Sequence, residues 1–233
     1  LPGFGGLEMI PPMRLLIALC ILISAPLFAA ANQNARVGNN LVDTARREFE
    51  KGNFAAARSA LDQFEKASHP TAASYDLRGG IDMEQGNFSD AAKAFDAAHT
   101  ANSSLFAPRL HAGDLLFRQK KYPEARGVYE TLWKETNILI SKERLRYAIL
   151  LTYLGEKDEG AAKEIFGQIT FPTESPAYYY AQAAWAFAHG KQRDAEKWLK
   201  SAAKVYDAAT TSWFARPLYD FGWIKNKPLP TIN

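Results

Sequence analysis

Four histidines, His69, His99, His111 and His189, are the first residues to weigh for chemistry. None forms an HxxxH or HExxH pair, so no helix presents two imidazoles one turn apart as a zinc site needs. His69 precedes Pro70 in a loop and His189 precedes a turn glycine, which reads them as solvated or capping groups. The single cysteine, Cys20, lies inside an apolar run and offers no thiolate pair. Glu48, Glu50, Asp82 and Glu84 gather near the ends of helical stretches, and paired carboxylates are the tools of hydrolysis. Acids are also common on helix surfaces, and a solvated face is the expectation here. No GxSxG elbow, phosphate-binding loop or dinucleotide-binding glycine turn occurs. These residues give no case for a catalytic centre, a metal or a cofactor.

The elements that carry these residues have a clear period. Ala57, Ala91 and Ala125 stand 34 residues apart, Ala162 follows after 37, and Ala195 after 33. Before each lies a turn: Glu50-Lys51-Gly52-Asn53-Phe54, Glu84-Gln85-Gly86-Asn87-Phe88, Gln119-Lys120-Lys121-Tyr122, Leu154-Gly155-Glu156-Lys157 and His189-Gly190-Lys191-Gln192. Gly52, Gly86, Gly155 and Gly190 suit a helix end that turns through a left-handed backbone. The alanine lets two helices approach closely, and Leu61, Phe95, Tyr129, Phe166 and Leu199, each four residues later, lie on the same helix face. Helical runs are expected at 41–51, 75–85, 109–119, 144–154 and 178–189, each followed by a second helix ending near a breaker, the last at Thr210-Thr211. No alternating strand pattern competes. Gly79-Gly80 falls inside an expected helix, where close packing accounts for it.

A 34-residue helix–turn–helix period is that of the tetratricopeptide repeat, and the chain resembles that family over residues 38–207. The Gly-x-Phe-x-x-Ala core at Gly52 and Gly86 matches well. Lys120 replaces the third turn glycine, and the fourth turn is about two residues longer. The resemblance implies an all-α, right-handed α-solenoid of about five repeats, in which the first helices line a concave groove that holds a protein segment. By register, the groove includes Arg46, Phe117, Arg118, Lys142, Arg146, Tyr153, Tyr180 and Phe187, with Asp76, Met83 and Asp114 among their neighbours. Some co-chaperone members of the family clamp a carboxylate with Lys, Asn and Arg. Lys142 and Arg146 resemble one half of that clamp, but Asp76, Gly80 and His111 stand at the asparagine positions. A looser anion contact at Lys142 and Arg146 is the remaining expectation.

Flanking segments complete the reading. Arg14, the apolar run from Leu15 to Ile23, Pro26 and Ala29-x-Ala31 have the layout of a secretory signal peptide, expected over 1–31 with an upstream extension. Leu19 before Cys20 does not fit a lipid-attachment site. Residues 208–233 hold Trp213, Phe214, Tyr219, Phe221 and Trp223, expected to cap the fifth repeat and end in a tail, since a stacked array leaves a raw apolar end. Charged residues make up 23% of the 233, and the net charge is +3 with the signs interspersed, which argues against nucleic acid as a partner. The expected function is a non-catalytic, protein-binding scaffold, periplasmic or secreted. A subunit of an envelope assembly complex is the alternative, and an enzyme with docking repeats a remote third.

Overall fold

The structure, a computed structural model, describes residues 40–232, and these form eleven helices and no strand. The first, α1, covers 40–50. It is followed by α2 (Phe54–Ala67), α3 (Ala72–Glu84), α4 (Phe88–Ala101), α5 (Phe106–Arg118) and α6 (Tyr122–Glu135). Then come α7 (Leu139–Glu156), α8 (Glu159–Gly167), α9 (Ala177–Ala188), α10 (Gln192–Ala202) and α11 (Ala208–Asp220). The expected signal peptide, Cys20 and the first two residues of the repeat region lie outside the described residues.

Helices α1 to α10 pair in sequence, and pairs stack on their neighbours through α4 on α5 and α6 on α7, giving an α-solenoid. The turn chemistry repeats in atomic detail. In each turn one residue has positive φ: Gly52, Gly86, Lys120, Lys157 and Gly190. Its N–H bonds back to a carbonyl three residues earlier, and the next N–H reaches five residues back, as in Lys120 to Phe117 and Lys121 to Leu116. This pair of bonds satisfies carbonyls the helix end would otherwise leave open. The five alanines Ala57, Ala91, Ala125, Ala162 and Ala195 are all fully buried, as a close helix crossing requires.

Three sequence expectations need correction. Gly155 is not the left-handed residue of the fourth turn; α7 runs on through it and Lys157 takes that conformation at φ 61°. Gly155 is needed for a different reason, because a Cβ there would stand 2.6 Å from the Tyr122 ring. The fifth pair ends at Ala202, and Thr210-Thr211 lie inside α11, whose start is capped by the Asp207 side chain accepting from the Thr210 N–H. Finally, α11 does not lie across the end of the array. It turns back along the array, against α9, and its aromatic face meets apolar side chains of several first helices at once. Burial of this aromatic face drives the placement.

Candidate functional site

The C-terminal segment runs along the first helices of the pairs, from α9 of the fifth repeat to α1 of the first. Trp213 and Phe214 of α11 are buried beside Tyr147 of α7, at ring-centroid distances of 6.3 and 5.5 Å. Phe214 also meets Tyr180 of α9 at 5.7 Å. The Tyr147 hydroxyl donates to the Phe214 carbonyl at 2.9 Å, so main chain as well as side chain is held. Past α11, Phe221 sits edge-on to Phe117 of α5, and Trp223 stacks on Phe187 of α9, with centroids 5.5 and 5.7 Å apart. The tail then reaches α1 and α3. Ile232 is buried against Phe49 and Gly80, and its carbonyl accepts from Arg46 at 3.0 Å. Ser212 donates to the Leu229 carbonyl, tying the tail to the start of α11.

Charge is buried along the same seam. Glu84, at the end of α3, has a side chain only 5% exposed. Its carboxylate receives Arg216 of α11 at 2.5 and 2.6 Å, Arg118 of α5 at 3.0 Å and Lys227 at 3.2 Å. Burial acts to raise the Glu84 pKa, but Arg216, Arg118 and Lys227 together outweigh it and hold the carboxyl below its ordinary value. Asp220 joins through Arg216 at 3.1 Å and Arg118 at 3.9 Å. One turn before the end of α5, Asp114 accepts from the Trp213 indole N–H at 2.9 Å and from the Tyr129 hydroxyl at 2.8 Å. Burial raises the Asp114 pKa despite these donors and the nearby cations. Arg144 lies over the Trp213 ring at 4.5 Å, and burial lowers its pKa. Asp76 and His111 pair at 2.8 Å in the interior close by.

The residues expected in the groove therefore divide. Arg46, Phe117, Arg118, Tyr180 and Phe187 lie beneath the C-terminal segment. Lys142 and Arg146 do not join them. Both lie over the ring of Trp133 on α6, at 4.9 and 5.6 Å, and Arg146 also donates to the Gln168 carbonyl. Tyr153 carries Arg126 of α6 on its ring at 4.1 Å. Two expectations of solvated charge fail: Asp82 is buried against Arg58, and Glu84 is the centre of the network just described. His111 is buried, while His69 and His99 are exposed and His189 pairs with Glu159. Gly79-Gly80 is explained by packing as expected, since a Cβ on Gly79 would stand 2.5 Å from the buried Phe95 ring.

Sequence reasoning missed the partnership of Glu84 with Arg216 and of Asp114 with Trp213. A signal existed in Trp213, Phe214, Leu218 and Phe221, which recur at helical spacing with Arg216 between them. A helix with an apolar face of that width needs a surface wider than one repeat end. Chemically, the arrangement holds the chain's own C-terminal segment with aromatic walls, two buried carboxylates, and donors aimed at main-chain carbonyls. Among the described residues no group of three or more His, Cys, Asp or Glu is placed to hold a metal ion.

The chain matches no protein-family model and no curated protein sequence. It is similar in structure to Pseudomonas aeruginosa PilF, with a TM-score of 0.58 and 14% identity over 82% of this chain and 88% of that one. The likeness shows a shared tetratricopeptide-like fold.

Proposed function

We propose that this chain is a non-catalytic protein-binding scaffold of the cell envelope, which holds a partner segment on the concave face of its helical array. The observation that carries the reading is that this face already holds a polypeptide segment, through both side-chain and main-chain contacts, in the manner of a recognition groove. Its aromatic walls and buried arginines are of the residue types that anchor protein interfaces. Export rests on the layout of residues 14–31 and places the mature start near Asn32. N-terminal sequencing of the protein recovered from the envelope checks the export, and an intact Met13 in a membrane fraction rejects it in favour of an anchor. Photo-crosslinking from Phe117 and Tyr180, on the groove walls, checks the binding site. A specific crosslinked protein from the envelope is expected; crosslinks only within the chain would count against a groove partner.

A second reading, a subunit of an envelope or outer-membrane assembly complex, is favoured by one feature. Ile138, Leu139 and Ile140 at the start of α7 and Phe171 in the loop between α8 and α9 are all exposed. Leu139 and Pro172 line one small cleft, so the two stretches adjoin. Purification in a fixed stoichiometric complex, lost on replacing Leu139 and Phe171 with serine, distinguishes this reading from the first.

A further inference from the structure

The C-terminal segment displays what the groove recognises, because each of its anchors meets a group that the array supplies. An indole N–H is taken by Asp114, and a guanidinium is taken end-on by both oxygens of Glu84. The neighbouring phenyl ring lies between Tyr147 and Tyr180, and Phe117 and Phe187 take two further aromatic rings. Most of these anchors fall in a short pattern: adjacent aromatics at 213 and 214, then a cation at 216. Resting on the scaffold reading above, we infer that residues 208–232 are a built-in stand-in for the partner. The partner segment is then a helix bearing adjacent aromatics followed by an arginine or lysine, and it binds by displacing the chain's own segment.

Three features make the segment exchangeable. Its covalent link to the array on the α10 side is the short stretch 203–207, so α11 can swing out without disturbing the helix pairs. Beside its buried aromatics, its attachment includes buried ion pairs, in which desolvation offsets most of the attraction. The fit is also incomplete. A cavity of about 60 Å³ lies under the segment among Glu84, His111, Asp114 and Arg216. An open cleft, lined in part by exposed residues such as Glu174 and Ile140, flanks it beside Arg144 and Trp213. The Nε and Nη2 atoms of Arg144 are buried there without a hydrogen-bond partner among the described residues. The small cavity and the unpartnered Arg144 atoms mark a fit less complete than that of a well-filled core. Tethering keeps the segment at high local concentration, so an outside ligand meets a mostly closed groove. Its apparent affinity falls by the open fraction: a groove open about 1% of the time binds about 100-fold more weakly.

The test uses the full chain and a fluorescent peptide with the sequence of Ala208–Ile232, followed by anisotropy. Wild-type protein is expected to bind the peptide weakly. Arg216→Glu weakens the chain's own segment by setting it against Glu84 and leaves the groove intact, so the peptide should bind at least tenfold more tightly. Glu84→Gln added to Arg216→Glu removes the acceptor for the peptide's arginine and should cancel that gain. Circular dichroism confirms that the array remains helical, and limited proteolysis between α10 and α11 reports release of the segment. Equal binding by wild type and Arg216→Glu overturns the inference, as does equal binding by Arg216→Glu with and without Glu84→Gln. An Arg216→Glu segment that stays protected overturns it too, because the cation is then no anchor. If Arg216→Glu and the milder Arg216→Gln both unfold the array, the segment is integral core and not a stand-in. Peptide binding as expected with no envelope protein crosslinked would uphold the groove's preference for this segment and its displacement, and would reject the scaffold reading and with it the outside partner.

Discussion

Replacing Glu84 with glutamine is the sharpest perturbation of the seam between array and C-terminal segment. One carboxylate, 5% exposed, there neutralises Arg118, Arg216 and Lys227 at 2.5–3.2 Å. Glutamine keeps the shape and one acceptor oxygen but leaves three cations with only Asp220 as counter-charge. Removing one partner of a buried ion pair costs about 3–5 kcal/mol, because the remaining charge stays desolvated. Arg118 and Arg216 are 12% and 14% exposed and Lys227 is 42% exposed, so water recovers part of that. The expected loss is about 3 kcal/mol, the lower end of that range. For a domain of this size it corresponds to a fall in Tm of about 6–12 °C. Urea denaturation with tryptophan fluorescence measures the loss, and Lys93→Ala is the control. Its partner Asp90 and Lys93 itself are both mostly exposed, so that change should cost under about 0.5 kcal/mol. The pH dependence provides a second reading. Glu84 titrates below its ordinary value in the folded chain, so its contribution is present above the ordinary carboxylate range and is lost as pH falls through the folded value. Glu84→Gln should remove that acid-side loss. A Glu84→Gln protein as stable as Lys93→Ala, with an unchanged acid limb, would refute the view that this carboxylate holds the segment.

Asp114→Asn is expected to be tolerated at neutral pH. Burial raises the Asp114 pKa, so the folded state is increasingly penalised as pH rises from the ordinary aspartate value through the folded one. Stability profiles of the two proteins should converge at low pH and diverge above it in favour of the Asp114→Asn variant; a loss of about 3 kcal/mol at pH 7, as for a broken buried pair, would show the reverse. Gly79→Ala and Gly155→Ala each place a Cβ within 2.6 Å of an aromatic ring and should cost about 1–3 kcal/mol in thermal or chemical denaturation. Lys120→Gly and Lys157→Gly relieve left-handed backbone at φ 61° and should each stabilise by up to about 1 kcal/mol; a fall in Tm for both would mean the lysine side chains matter more than the backbone.

By itself the sequence determined the repeat. Its period survives in the positions of the left-handed residues and in the five buried alanines, because turn conformation and close helix crossing depend on residues a few positions apart. It also put Phe117, Tyr180 and Phe187 on one register of the first helices, since helix register is equally local, and the structure sets them against the C-terminal aromatics. Gly155 misled because the fourth turn is set by how far α7 continues, and the packing of Tyr122, 33 positions earlier, demands that glycine whichever residue turns the chain. What only the tertiary structure decided was the destination of the C-terminal segment and the role of the charges beneath it. Glu84 and Arg216 are 132 residues apart, and Arg46 and Ile232 are 186 apart. No pattern within a window of sequence reports such a pairing. It exists only because stacking brings α1, α3, α5, α7 and α9 to face one side, where a single helix and tail can touch them together.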